Sequence, residues 1–389
     1  MNTIREPAAF TIRRDDINAL VAGKLGLEPN EGSAFFKFMR GGGKETELSG
    51  RYGELLEDPL FLKAIRIAAR PDAYVVNRIG GGGVELTEIR LYRSGSEGEE
   101  AAAVQRGPDG TLTIQLFAGF REYLAWWMEN FAGEHVETAA NRIPGKITLE
   151  QFLYILHAVD CFRRVSYRNL LDHAYTERAH LTLSEFADTM AASVKSMDIR
   201  WLLPAFMTVL PGFENYPTQL VPEDAAVLFE RGILENAHLA AGGEVLVFGE
   251  AGQLMGLEFF RSWVMASGFA LHMQTPEGFT ATDRFFVAPT ALTNHFVRLE
   301  GPENGKTMVR HEAYTAKQLA GALDMLFGKV FAAGASSAAA KTAAADLRPS
   351  AGKASSYPAP GTAGGFCHHC GAKVSAGASF CAKCGTKLQ

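Results

Sequence analysis

Four of the five cysteines in this sequence crowd into its final segment, and they carry the clearest chemistry in the chain. They form two similar knuckles, Phe366-Cys367-His368-His369-Cys370-Gly371 and Phe380-Cys381-Ala382-Lys383-Cys384-Gly385. Each Cys-x-x-Cys turns tightly enough to aim two sulfurs at one point, and the glycine that follows admits a backbone conformation that a Cβ disfavours. About ten residues between the knuckles suffice for a short hairpin that brings the pairs together. The expectation is one zinc ion held by Cys367, Cys370, Cys381 and Cys384 in a tetrahedral shell of four sulfurs. Four thiolates leave no position for a water, so the site is structural rather than catalytic. His368 and His369 are then solvent-facing knuckle residues. A segment this small cannot fold on its own core, so metal binding would supply its folding energy. Two disulfides would need an oxidising compartment. The stretch Met1 to Arg14 mixes charges with short apolar pieces and has no apolar signal core.

Other candidate chemistry is weaker. Gly41-Gly42-Gly43-Lys44 is followed by Glu45, where a phosphate loop needs Ser or Thr, and reads as a turn. Gly80 to Gly83 lacks a strand–glycine–helix context and reads as a hairpin loop. His173, Glu177 and His180 would share one face if the chain there were helical, which makes them the best candidate for a second metal site, but the segment is polar throughout and reads rather as a solvated helix end. Cys161, among apolar residues on an expected helix, reads as a small core side chain rather than a nucleophile. His272, His295 and His311 fall on expected strands with no nucleophile motif nearby. Trp126 and Trp127 are adjacent on an expected helix, about 100° apart. Both cannot sit equally deep in one core face, so one of the pair is a candidate anchor for a partner, the other reading being that Arg121 half-covers it.

The elements that must position these groups begin with a tether. Residues 333–365 are mostly Ala, Ser, Gly, Pro and Thr, with Leu347 and Tyr357 as bulky exceptions, and read as a flexible, disordered linker. Such a stretch of about thirty residues spans roughly 30 Å on average. Beyond it, residues 366–389 resemble the short zinc ribbons found at one end of many bacterial and archaeal proteins. From residue 331 onward Lys341, Arg348, Lys353, Lys373, Lys383 and Lys387 stand against Asp346, a sum of +5; the whole chain sums to −5, so residues 1–330 sum to −10. An acidic body repels nucleic-acid phosphates. The apolar stretch Leu254 to Met273 is broken by Glu258 and Arg261, so no membrane span is expected.

The body reads as α+β, with one supersecondary unit present twice. The first unit is 1–145, a helical connector covers 146–212, and the second unit is 213–332. Each unit opens on a helix with an acidic start, at Ile12 to Leu20 and at Leu220 to Leu228, and continues with a second helix at Phe61 to Ile65 and Phe260 to Val264. Antiparallel strands follow: Ala73 to Ile79 and Val84 to Tyr92 in one, Phe269 to Gln274 and Thr282 to Val287 in the other. A further hairpin turns at Gly107 to Gly110 and again at Gly301 to Gly305, where Pro, Gly and Asn suit turn geometry. Leu112, Ile114 and Leu116 alternate as on a half-buried strand. Each unit closes on a helix, Phe120 to Phe131 and Thr315 to Phe327. Thr148 with Gln151 and Thr182 with Glu185 read as capping boxes within the connector.

This two-fold outline is similar to the EspG-type chaperones of type VII secretion, through Leu55-Leu56 with Pro59, the Ala69-Arg70-Pro71-Asp72 passage, and the strands and closing helix that follow. The resemblance implies a cytosolic chaperone that holds helical secretion substrates; a terminal zinc ribbon departs from that pattern. The reading that follows is a cytoplasmic, non-enzymatic protein-binding adaptor or chaperone with an unidentified protein partner. A zinc-ribbon regulator associated with nucleic acid, and an enzyme with an unrecognised site, are the alternatives.

If the tail is a four-thiolate ribbon, purified full-length protein contains one zinc per chain by elemental analysis. Cys370→Ser or Cys384→Ser removes most of it, whereas Cys161→Ser leaves it unchanged; zinc that survives the knuckle substitutions contradicts the assignment.

Overall fold

The computed structural model describes residues 7–332 except 40–51, 82–84, 139–141, 175–177, 217–218, 241 and 262–264. The chain divides into two units, Met1–Ala340 and Lys341–Gln389, and everything described belongs to the first. The fold is α+β. Its strands are β1 (Ala8–Arg13), β2 (Ala73–Gly80), β3 (Leu86–Arg93), β4 (Ala101–Arg106), β5 (Thr111–Phe117), β6 (Lys146–Thr148), β7 (His180–Leu181), β8 (Leu234–His238), β9 (Glu244–Phe248), β10 (Ala266–Thr275), β11 (Gly278–Pro289), β12 (Asn294–Glu303) and β13 (Lys306–Tyr314). The helices are α1 (Pro59–Ala69), α2 (Phe120–Phe131), α3 (Leu149–Leu171), α4 (Leu183–Ser193), α5 (Leu202–Val209), α6 (Ala226–Glu230), α7 (Glu250–Arg261) and α8 (Ala316–Phe331).

The duplicated outline is present, and its two sheets are one. Ten strands pair antiparallel in the order β1-β5-β4-β3-β2-β10-β11-β12-β13-β6. The meanders β2–β5 and β10–β13 meet along β2 and β10, in register from Ala73 opposite Met273 to Gly80 opposite Ala266. A pseudo-two-fold relation runs between these strands: a helix precedes each meander (α1, α7), a helix follows it (α2, α8), and an earlier strand closes its outer edge (β1 on β5, β6 on β13). Because β6 pairs with β13, residues 146–148 belong to the second unit's sheet rather than to a separate connector.

Period-two burial explains the layering. One face of the sheet packs Val75, Leu91, Phe269 and Phe285 under α2 and α8. The other face packs Tyr92, Val104 and Ile114 under α1 in the first half, and Phe286, Val297 and Val309 under α3 and α5 in the second. Local signals hold at most ends. Asp58 caps α1 through the Leu60 amide at 2.8 Å. Thr148 with Gln151, Thr182 with Glu185, and also Thr315 with Gln318 form reciprocal capping boxes. Asn304 and Gly305 both take positive φ in the β12–β13 turn, as a two-residue hairpin of that hand requires.

Two element readings are corrected, and one sheet is new. Ile12 to Leu20 is not one helix: Ile12 lies in β1, and only short helical turns follow, at Arg14–Asp16 and Ala19–Lys24. Pairing with β5 outweighs helix propensity there, since Ile12 is fully buried opposite Leu112. The helix before β10 starts ten residues earlier than Phe260, at Glu250. The three-stranded sheet β7-β9-β8 has no counterpart in the first half and was not foreseen.

Gly268 marks a close approach between the sheet and α5. A Cβ there would lie 2.2 Å from the Val209 carbonyl oxygen, at the end of α5. Gly301 has open space around it. Gly268→Ala is therefore expected to cost about 1–3 kcal/mol in urea denaturation, with Gly301→Ala near neutral. Equal midpoints for the two variants would contradict this packing.

Candidate binding groove

The helices and small sheet inserted between β6 and β10 build a groove of about 720 Å³. Its floor is one face of β8 and β9, with Leu234 and Leu246, joined by Tyr154 from α3. One wall is α4, which presents Phe186 and Met190 and, along a single line at i, i+4 and i+8, Leu183, Ala187 and Ala191. The opposite wall runs from Leu220 and Pro222 into α6, with Leu228 and Phe229. Leu183 is 67% exposed and Phe229 is 40% exposed, so large apolar side chains stand at the lips. Asn236 and Glu244 are the polar residues of the lining. Beside it, β8 has a neighbour on one edge only among the described residues.

The segments that carry the lining are acidic, with Glu244 in the lining itself. Glu185 and Glu235 pair with Arg168 and Arg178, and Asp224 pairs with Lys306. Asp188, Glu223, Glu230 and Glu244 have no Arg or Lys within ion-pair distance among the described residues. Glu244 has only His238, at 3.7 Å. Arg231 is the one basic residue other than histidine on the lining segments α4, 222–231, β8 and β9.

The walls are fixed from below by α3. Its fully buried Asp160 accepts from the Leu202 and Leu203 amides at 2.8 and 2.9 Å and from Arg163 at 3.0 Å, which ties the start of α5 to α3. At the next residue, Cys161 Sγ lies 3.3 Å from His157 Nε2, one turn back along α3. This is not a thiolate–imidazolium pair. Burial pushes the Cys161 thiol up to about 12 and lowers His157 to about 4, so both stay neutral near pH 7. His157 Nε2 also lies 3.0 Å from the Phe186 carbonyl oxygen and so helps hold α4 in place. Cys161 is a core residue, as its sequence context suggested.

The remaining candidates fall elsewhere. The structure puts Trp127 fully in the core against Phe269, and leaves Trp126 partly open among Phe117, Tyr123 and Phe131. Arg121 does not cover it: its guanidinium pairs with Asp324 of α8 at 2.7 Å and lies over Phe120. The expected helical face of His173, Glu177 and His180 does not form. Helix α3 ends at Leu171, His173 takes positive φ, His180 lies in β7, and Glu177 is outside the described residues. No His, Cys, Asp and Glu grouping suited to a metal occurs among the described residues. Gly41 to Lys44 is also outside them, as are Cys367, Cys370, Cys381 and Cys384. His272 stacks on Tyr74 at 4.5 Å, and burial, with Arg284 and Arg90 nearby, lowers it to about 4.

His295 and His311 form a buried chain that sequence reading did not connect. His295 Nδ1 lies 2.9 Å from His311 Nε2, and His295 Nε2 lies 2.9 Å from Glu258 Oε1 on α7. The chain ties α7 to β12 and β13. Alternation on two adjacent strands was a usable signal for the histidine pair; the partner on α7 was not legible.

Residues 366–388 match the zinc-ribbon domain family, and the four thiolates there are the donor set such a domain uses for zinc. No curated protein matches the chain. Among solved structures, the chain is similar to the Mycobacterium tuberculosis type VII secretion system chaperone EspG5, solved in complex with a PE25–PPE41 dimer. That similarity covers 83% of this chain and 97% of the other at 8% identity, with a TM-score of 0.37. No helix among the described residues is long and apolar enough to cross a membrane.

Burial by itself would raise the Glu258 carboxyl, but the hydrogen bond and charge of His295, with Thr290 donating as well, hold it below its ordinary value. A carboxyl lowered by folding adds stability above its unfolded pKa and loses it as pH falls through the lower folded value. Glu258→Gln should therefore lower the Tm at neutral pH, and the gap to wild type should close between about pH 5 and pH 3. A gap that stays constant with pH would show that the pair contributes no such linkage.

Proposed function

We propose that this protein is a protein-binding adaptor of chaperone type, acting without catalysis in the cytoplasm, and that the groove between α4 and α6 receives an amphipathic helix of its partner. The groove carries the reading. Two helical walls over a strand floor make a trough for a third helix, whose apolar anchors at i, i+3, i+4 and i+7 suit an apolar lining. The Leu183–Ala187–Ala191 line lets a helix backbone approach closely, because two of its three residues are alanine. Glu244 in the lining, and the acidic segments that carry the lining, favour lysines and arginines flanking the partner's apolar stripe. The acidic body is a poor match for nucleic acid, which argues against the regulator reading. The terminal ribbon offers a second, separately tethered contact, with zinc held by Cys367, Cys370, Cys381 and Cys384. Trp126 is a further candidate contact at the outer helical layer. Secretion substrates are one class of client that fits this scheme.

The test uses the full chain as bait in its native host, beside Ala187→Arg, which fills the groove with charge, and Leu292→Arg, which alters an exposed apolar residue outside the lining. The partner retained by wild type and by Leu292→Arg is lost with Ala187→Arg. A synthetic helix cut from that partner binds wild type at least about tenfold more tightly than Ala187→Arg, a difference of ~1.4 kcal/mol. Equal retention by all three baits would remove the groove from the function.

A further inference from the structure

Residues 1–330 sum to −10, yet one cavity on the first half runs against that charge. It holds about 350 Å³ between β3 and β4 and the turn Phe36–Phe38. Alternation puts Glu88, Arg90 and Tyr92 of β3 on one face, and the pairing of Arg90 with Val104 places Arg106 beside them. Lys37 closes the opposite side.

The charges here do not cancel. Glu88 accepts from Arg78 at 3.0 Å and from Arg90 at 2.8 Å, so one carboxylate answers two guanidiniums. Arg14 and Arg106 lie over the Phe38 ring at 5.2 and 5.3 Å, a stacking that holds both heads in place. Neither they nor Lys37 has a carboxylate within ion-pair distance among the described residues. Glu31 is the other acid of the lining, and it is exposed.

A second observation points into the same space. Tyr92 is fully buried, is among the residues lining the cavity, and its hydroxyl has no hydrogen-bond acceptor among the described residues. The Arg90 guanidinium lies beside the phenol. A guanidinium accepts nothing, however, so the phenol proton is left without an acceptor. Burial pushes this phenol well above its ordinary value despite Arg90, so it remains an O–H donor near pH 7. A buried donor without an acceptor is costly unless a ligand supplies one.

We propose that this cavity binds a compact oxyanion of the phosphate class. Arg106 and Lys37 supply uncommitted charge, Arg90 supplies further N–H groups, and the Tyr92 hydroxyl donates to one oxygen. Guanidinium geometry suits phosphate oxygens, and the volume suits a small phosphate monoester rather than a polymer.

The experiment is calorimetric titration of the full chain at constant ionic strength, with inorganic phosphate in one arm and glycerol 1-phosphate in the other. Saturable binding of both with the monoester tighter identifies a phosphorylated small molecule; equal or tighter binding of inorganic phosphate identifies the free ion. In either case Arg106→Gln and Tyr92→Phe weaken binding at least about tenfold. Tyr92→Phe deletes only an unsatisfied hydroxyl and should fold at least as stably as wild type, so its loss of binding is not a loss of fold. No saturable heat with either probe, or both variants binding within about twofold of wild type, would overturn the proposal. The outcome is independent of the groove between α4 and α6.

Discussion

The pairing of β2 with β10 is the interaction on which the rest of this body depends. Each meander alone would end in an exposed edge strand, a template for unwanted association. Joined along eight consecutive residue pairs, the two edges disappear into the centre of a ten-stranded sheet. The side chains there are among the most deeply buried in the chain: Val75, Phe269, Ala270 and Leu271 are essentially inaccessible. The outer edges are closed by β1 and by β6, each drawn from earlier in its own half. Both helices that follow the meanders, α2 and α8, then share one face and meet through Arg121 and Asp324.

This weld leaves the second half free to carry an insertion. Between β6 and α7 the chain detours through α3 to α6 and the small sheet, and the detour rests on the main sheet through α3 and α5. Gly268 is where α5 comes down on β10, closer than any side chain would permit. Asp160 and His157 then bind the overlying elements to α3 by hydrogen bonds to backbone. The groove therefore belongs to the insertion, while its rigidity comes from the sheet. The oxyanion cavity sits on the opposite half, where, among the described residues, α1 and short turns cover the sheet.

Much of the scaffold was legible because its signals are local. Leu112, Ile114 and Leu116 alternate and are buried as alternation requires; Thr148 and Thr182 begin helices as capping boxes; the Gly107 and Gly301 turns fall where hairpins turn. What was not legible depends on distant partners. Ile12 looked helical with its neighbours and became a strand because Leu112 waits opposite it. The sheet β7-β9-β8 is built from strands of two to five residues, too short for periodicity to register. The groove needed α4 and α6, some forty residues apart in sequence, to be seen side by side. Tyr92 reads as an ordinary strand tyrosine until its lack of an acceptor among the described residues is known. The histidine and glutamate spacing around His173 looked like a helix face only while α3 was imagined to continue past Leu171.

The central claim is that the two halves are one cooperative body joined at β2 and β10. Native-state hydrogen exchange measures this most directly. The account predicts that amides of β2, β3, β10 and β11 are the slowest in the chain and share one opening free energy, equal to that of global unfolding. Two separate free energies, with one meander opening while the other stays closed, would contradict it.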